Sequence, residues 1–295
     1  MTIKSITSGQ AGQLRQFAEN ASRKAVDFAL AKSGVGKSGS QRIIEVNGAK
    51  FTSRINEFVL DLVLELSVSD NFKDEEVPSS WDYPKGFRPK SIESQVGILH
   101  QFFPGVGVAG VEFAKNPLHN GQSYFAIPKW KTIGDTYDQA LTSVLNAISK
   151  QRSFYNYCEG AIGADRLILS KRTVQFWDEI AREQNNYDVM VIPAQFGRFH
   201  RGRSIRRAVE VMLDEEFGLD PLSVAIMILT HPERFGKYDD LCVDCSGCEY
   251  DFPESTTSWS SSLSFSFGDD KLVLSSRPII RAREDYGTVS GFFAG

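Results

Sequence analysis

Tyr187-Asp-Val-Met-Val-Ile192, running into Phe196-Gly-Arg198-Phe199-His200-Arg201-Gly-Arg203-Ser204-Ile-Arg206-Arg207, is the stretch on which the reading of the fold turns. A short apolar run of this length reads as a strand. The arginine-rich part reads as a loop, and Ser204 as the cap of a helix running to about Phe217, where Gly218 ends it. Asp220-Pro221 opens the next helix, with the acid as cap and proline in the first turn, and His231-Pro232 stops it.

Upstream, residues 170–183 carry Phe176, Trp177 and Ile180 at helical spacing, and 136–154 reads as another helix. Residues 96–103 and 123–127 look like strands. Helix and strand therefore alternate from about residue 96. Downstream, 262–267 and 271–275 form a hairpin candidate around Gly268-Asp269-Asp270, beyond a Ser/Thr-rich stretch at 255–262. Nearer the start, Leu14, Phe17, Ala21, Ala25 and Phe28 recur at three- and four-residue intervals, which predicts a long amphipathic helix over 10–32. Asn47-Gly48 closes either a hairpin or a short helix begun after Ser40, and the helix is preferred. Residues 56–66 fit a buried helix, whereas 67–94, with Pro78, Pro84 and Pro89, reads as an extended connection.

The expected fold class is α/β or α+β, with a helical N-terminal segment (1–68), an extended connection (69–95), a central alternating α/β domain (96–250) and a β-rich C-terminal tail (251–295). With 295 residues, 41% of them apolar, the chain is long enough for a substantial core. A net charge of -4 is small for that length, so a preference for nucleic acid or membrane must come from a local patch. Residues 1–17 lack the apolar stretch of a secretory signal, and the most apolar run, 58–66, is short and contains Asp61 and Glu65. Four cysteines with no spaced disulfide framework fit a reducing compartment, so the expectation is a soluble, cytoplasmic protein without membrane contact.

Five arginines and a histidine between Arg198 and Arg207 repel one another unless something negative neutralises them. Arginine rather than lysine suits bidentate contact with phosphate or carboxylate. The amides expected at Ser204 would add to an anion site, and Phe199 could stack on a base. The expected contact set is Arg198, Phe199, His200, Arg201, Arg203, Ser204, Arg206 and Arg207, with nucleic acid or a phosphorylated ligand as partner. Internal pairing with Asp214, Glu215, Glu216 or the acidic stretch near residue 240 is the preferred reading of these charges, and ligand contact the leading functional one.

Cys242, Cys245 and Cys248 have the spacing of a metal site, zinc being the possible cofactor. The same run lacks a fourth ligand where an iron–sulfur motif has one, since Phe252 precedes Pro253. Residues 31–38 match a relaxed phosphate-loop pattern, but after a helix rather than a strand, and so read as a glycine-rich helix terminus. Gly105, Gly107 and Gly110 form a G-x-G-x-x-G with little room for the required helix before Pro117, and read as a close-packed turn. There is no G-x-S-x-G or H-E-x-x-H, and the four histidines lack metal-ligand spacing. Three functions follow as expectations: a nucleic-acid- or phosphate-binding protein, a metal-containing interaction module, or an enzyme acting on a phosphorylated substrate.

Overall fold

A computed structural model describes residues 8–55, 71–115, 122–252 and 259–293, and the chain divides into two units, 1–68 and 69–295. In the first unit α1 (Ser8–Ser33) is the expected long helix. Gly34, at φ +61°, supplies the left-handed backbone that turns the chain into α2 (Lys37–Glu45). Residues 48–55 are helical again, so Asn47-Gly48 separates two helices. The helix expected at 56–66 lies outside the described residues.

Among the described residues, the second unit is built on a ten-stranded mixed sheet. Its longest strand is β4 (Val189–Arg201), which pairs antiparallel with β1 (Ser123–Pro128) along its first half. Along its second half it pairs with β10 (Tyr286–Phe292). The opposite edge of β10 takes β6 (Cys242–Asp244) in parallel and β5 (Glu216–Gly218) antiparallel. From β6 the sheet continues through β8 (Ser261–Gly268) to its hairpin partner β9 (Lys271–Pro278) and to β7 (Cys248–Tyr250). β2 (Phe154–Asn156) then adds to β9, and β3 (Leu167–Leu169) to β7. The segment expected as a β-rich tail thus contributes interior strands of the sheet that also holds β4.

Helix α7 (Pro221–Thr230) is buried on every side, as a helix apolar all round must be, and packs against α4 (Tyr137–Gln151) and β1. Asp220 caps it as expected. The predicted helix at 170–183 is α5 (Lys171–Glu183), capped by Ser170. Among the described residues no helix is long and apolar enough to cross a membrane.

Three readings of the sequence change. Residues 96–103, expected as a strand, belong to α3 (Ile92–Phe102). Ser91 caps it by accepting from the Ser94 amide, and Ile92, Gln95 and Leu99 form its buried stripe. Gln95 decides the geometry, because its amide donates to the Lys90 and Tyr124 carbonyls while its oxygen accepts from the Ala126 amide at 2.9 Å. The arginine-rich loop is no loop up to Arg201, since the β10 ladder carries β4 through it. The helix after Ser204 is only α6 (Ile205–Glu210), because the chain turns at Leu213 to place Glu216 in β5.

His231 ties α7 to the segment before α3. Its Nε2 accepts from the Lys90 amide at 2.9 Å, which leaves Nδ1 to donate to the Met227 carbonyl at 3.1 Å. Burial and the nearby Lys90 ammonium lower its pKa to about 4. Below the ordinary value of 6.5 the unfolded chain takes up a proton that the folded chain refuses until about pH 4. The contribution to stability is therefore present above that ordinary value and is lost as the pH falls through the window. Urea titrations at neutral pH and at about pH 4.5 should show His231→Gln losing about 2 kcal/mol less stability over this interval than the parent. Equal losses would refute the assignment.

Close approach of two glycines fixes the β4–β10 pairing. A Cβ on Gly287 would lie 2.0 Å from the Gly197 carbonyl oxygen, and Gly197 itself is at φ +103°. Gly287→Ala should cost about 1–3 kcal/mol in chemical denaturation, as forced overpacking does. Gly268→Ala, which meets nothing within 4 Å, should stay within about 0.5 kcal/mol of the parent.

Candidate anion-binding surface on β4 and α6

The extended connection lies against the end of β4 and lays a row of carboxylates beside the arginines. Val77 donates its amide to the Gly202 carbonyl at 2.8 Å, and Glu76 bridges Arg203 in the antiparallel sense. Glu75 then accepts from Arg206 Nε and from the Ser204 hydroxyl at 2.6 Å, and Arg206 stands 4.2 Å from the Phe72 ring centroid. The Arg206 guanidinium holds the Glu75 carboxyl below its ordinary pKa. Glu76 pairs with both Arg207 and Arg203. Arg207 also donates to Glu210 at 2.9 Å, and Glu210 in turn accepts from the amides of Asn71 and Phe72. Further along, Asp82 pairs with Arg198 at 2.9 Å and with Arg201 at 3.8 Å.

The row has a buried end and an open end. The Arg207 side chain is 7% exposed, that of Arg198 49%, and Arg201, Arg203 and Arg206 lie between them. Phe199 is partly exposed and meets Phe292 edge-on, whereas Phe196 is core. The amides expected to face an anion at Ser204 are already bonded. Ser204 N donates to the Glu75 carbonyl, Arg206 N to the Ile279 carbonyl and Arg207 N to the Ser204 hydroxyl. Any anion recognition here belongs to the guanidiniums.

His200 is buried instead of facing outward. Arginine only donates, so Arg203 Nη1 donates to His200 Nδ1 at 3.2 Å and His200 Nε2 donates to Glu216 at 2.7 Å. Ser290 donates to the same carboxylate. Burial works to raise the Glu216 carboxyl, but His200, Ser290 and the Leu213 amide hold it below its ordinary pKa. Serine, histidine and carboxylate thus meet, yet the carboxylate stands between the other two. The serine loses no proton to the imidazole, so this is a structural network and not an activated nucleophile.

Among the described residues the three motifs elsewhere lack the surroundings that their patterns require. Cys242, Cys245 and Cys248 are buried on or beside β6 and β7, and among the described residues no three His, Cys, Asp or Glu side chains are grouped to hold a metal. Burial pushes the Cys242 and Cys248 thiols up to about 12. Cys248 donates to the Cys245 carbonyl at 3.3 Å. Residues 31–38 join two helices with no strand before them. Gly107 and Gly110 lie against Asp188 and Tyr187, and a 3-10 turn (Val111–Lys115) follows them where a dinucleotide site needs a helix.

Sequence reasoning named the arginines but missed Glu75, Glu76, Asp82 and Glu210, the acids that pair with them. Of the acids it did name, Glu216 engages His200. The missed signal was Lys73-Asp-Glu-Glu76, an acidic run of matching length in a segment read only as a linker.

Comparison of the chain with protein-family models, with curated proteins and with solved structures finds no match.

The gradient of burial sets a gradient of cost. Arg207→Ala leaves the buried Glu210 carboxylate without its guanidinium and should destabilise by about 3 kcal/mol. Arg198→Ala breaks a half-exposed pair and should cost less than about 1 kcal/mol. Urea unfolding of the two variants gives the comparison, and equal effects would contradict it.

Proposed function

We propose that the protein binds phosphate groups, of a nucleic acid or of a phosphorylated ligand, through the partly exposed guanidiniums of Arg198, Arg201, Arg203 and Arg206 with Phe199 beside them. Arg207, His200 and Ser204 hold this surface in shape from beneath. The observation that supports the reading is the sharing of Asp82 by Arg198 and Arg201, two partly exposed cations with one carboxylate between them. Across the row, five guanidiniums meet four carboxylates, Glu75, Glu76, Asp82 and Glu210. Solvent-exposed pairs of this kind contribute roughly 0–1 kcal/mol each, so a phosphate with bidentate geometry exchanges for Asp82 at little cost.

The exchange makes Asp82 a competitor of the ligand, which yields predictions of opposite sign. Fluorescence anisotropy with labelled single- and double-stranded oligonucleotides should show binding that weakens with added salt, as counterion release requires. Arg198→Glu/Arg201→Glu should abolish binding in a protein still folded by circular dichroism, and Asp82→Asn should strengthen it several-fold. Competition by inorganic phosphate at equal ionic strength points to a small phosphorylated ligand in place of a polymer. No binding at low salt, or a weaker Asp82→Asn, would sink the reading.

A further inference from the structure

A second concavity lies away from the arginines, where the end of β1, the 3-10 turn Trp130–Thr132, α5 and the start of α7 meet. It encloses about 270 Å³ and its wall is mainly apolar: Ile127, Met190 and Val174 line it with the rings of Trp130, Trp177 and Tyr137. A dry cavity of roughly 150 Å³ takes one benzene ring, so this cleft has room for two fused rings.

Two of its aromatic walls are set rigidly by one buried carboxylate. Asp220, the cap of α7, accepts from Tyr137 Oη at 2.6 Å and from Trp177 Nε1 at 2.8 Å, besides the Leu222 and Ser223 amides and the Ser223 hydroxyl. The polar atoms of both rings are therefore spent on Asp220, and Phe217 braces the indole edge-on. Walls fixed before a ligand arrives lose little freedom on binding it. Charge orients the guest. The inner end holds the Asp220 carboxylate, whereas the lining also includes Lys129 and Lys131, against Asp178 as the remaining acid. Lys129 Nζ is held by the Gln184 carbonyl at 3.0 Å, and the exposed Lys131 stands 5.3 Å over the Trp130 ring. An anionic group pointing inward would meet Asp220, while one pointing outward meets Lys131.

We propose that this cleft binds a planar aromatic molecule of one or two rings carrying a single carboxylate or similar monoanionic group, with the ring against Trp177 and Trp130 and the anion at Lys131. The site stands independently of the phosphate surface, since none of the arginines of that surface lines it.

The test uses 2-naphthoate and its neutral counterpart 2-naphthalenemethanol as probes, followed by quenching of tryptophan emission and by isothermal titration calorimetry. Both should bind at one site per chain. Lys131→Glu should weaken naphthoate about tenfold, the scale of one partly screened charge contact, and leave the alcohol unchanged. Ala181→Leu, on the α5 wall, should remove binding of both with the melting transition retained; if it unfolds the chain, Val174→Trp at the lip of the cleft serves instead. The proposal is overturned if neither probe saturates at millimolar concentration, if the filled cleft binds as well as the open one, or if Lys131→Glu weakens both probes equally.

Discussion

The pairing of β10 with β4 is the constraint on which the rest of the second unit depends. β10 lies between β4 on one edge and β5 and β6 on the other, so it joins the β1–β4 half of the sheet to the half that carries the C-terminal hairpin. The strands of the two halves interleave along the chain and this strand arrives last, so the sheet closes only when long-range contacts form together. The approach of Gly287 to Gly197 permits the closure, and the ladder carries β4 through Arg201. A loop at 196–203 would have left the arginines on mobile backbone. The ladder sets Arg201, the Glu76 bridge sets Arg203, and α6 carries Arg206 and Arg207.

The electrostatics follow from that placement. Arginines spaced along a strand end and a short helix present a row, and the 71–82 segment matches it with a row of acids. The segment is held by more than charge. Arg234 is fully buried, donates to the Phe196 and Leu241 carbonyls, and faces the rings of Tyr83, Phe196 and Phe235 at 4.6 to 5.2 Å. Among the described residues its Nε and Nη1 have no hydrogen-bond partner, so the aromatic faces take the place of acceptors. Burial lowers its pKa to about 10, which still leaves it charged at neutral pH. Tyr83, whose hydroxyl accepts from the Phe196 amide, thereby links the connection to β4 beside the open end of the arginine row.

How much of this was legible follows from the range of the forces involved. α1, α4, α5, α7 and the β8–β9 hairpin are written in local periodicity and caps, and they stand where the sequence places them. α3 was misread because Val96, Ile98, Phe102 and Phe103 look strand-like, while the residue that settles the matter, Gln95, acts through bonds to Tyr124 and Ala126 some thirty positions on. The end of β4 was misread for the same reason, since its partner lies near residue 288. At the arginine surface the residues were legible and their neighbours were not: Glu75 and Glu76 lie about 130 positions before the guanidiniums they meet. The Trp177 cleft escaped altogether, because its walls are drawn from β1, α4, α5 and α7 and no local pattern records their meeting.

Asp220 and Asp82 show how burial divides the carboxylates of this chain. Asp220 is buried and accepts from five donors, so it serves by fixing the Tyr137 and Trp177 rings. Asp82 is more than a third exposed and holds two guanidiniums, one of them at 3.8 Å, so water and other anions compete for its place. A carboxylate of the first kind is costly to remove and indifferent to salt. One of the second kind costs little to displace and responds strongly to ionic strength. The same chemistry therefore defines the frame where solvent is excluded, and offers an exchangeable contact where solvent reaches it.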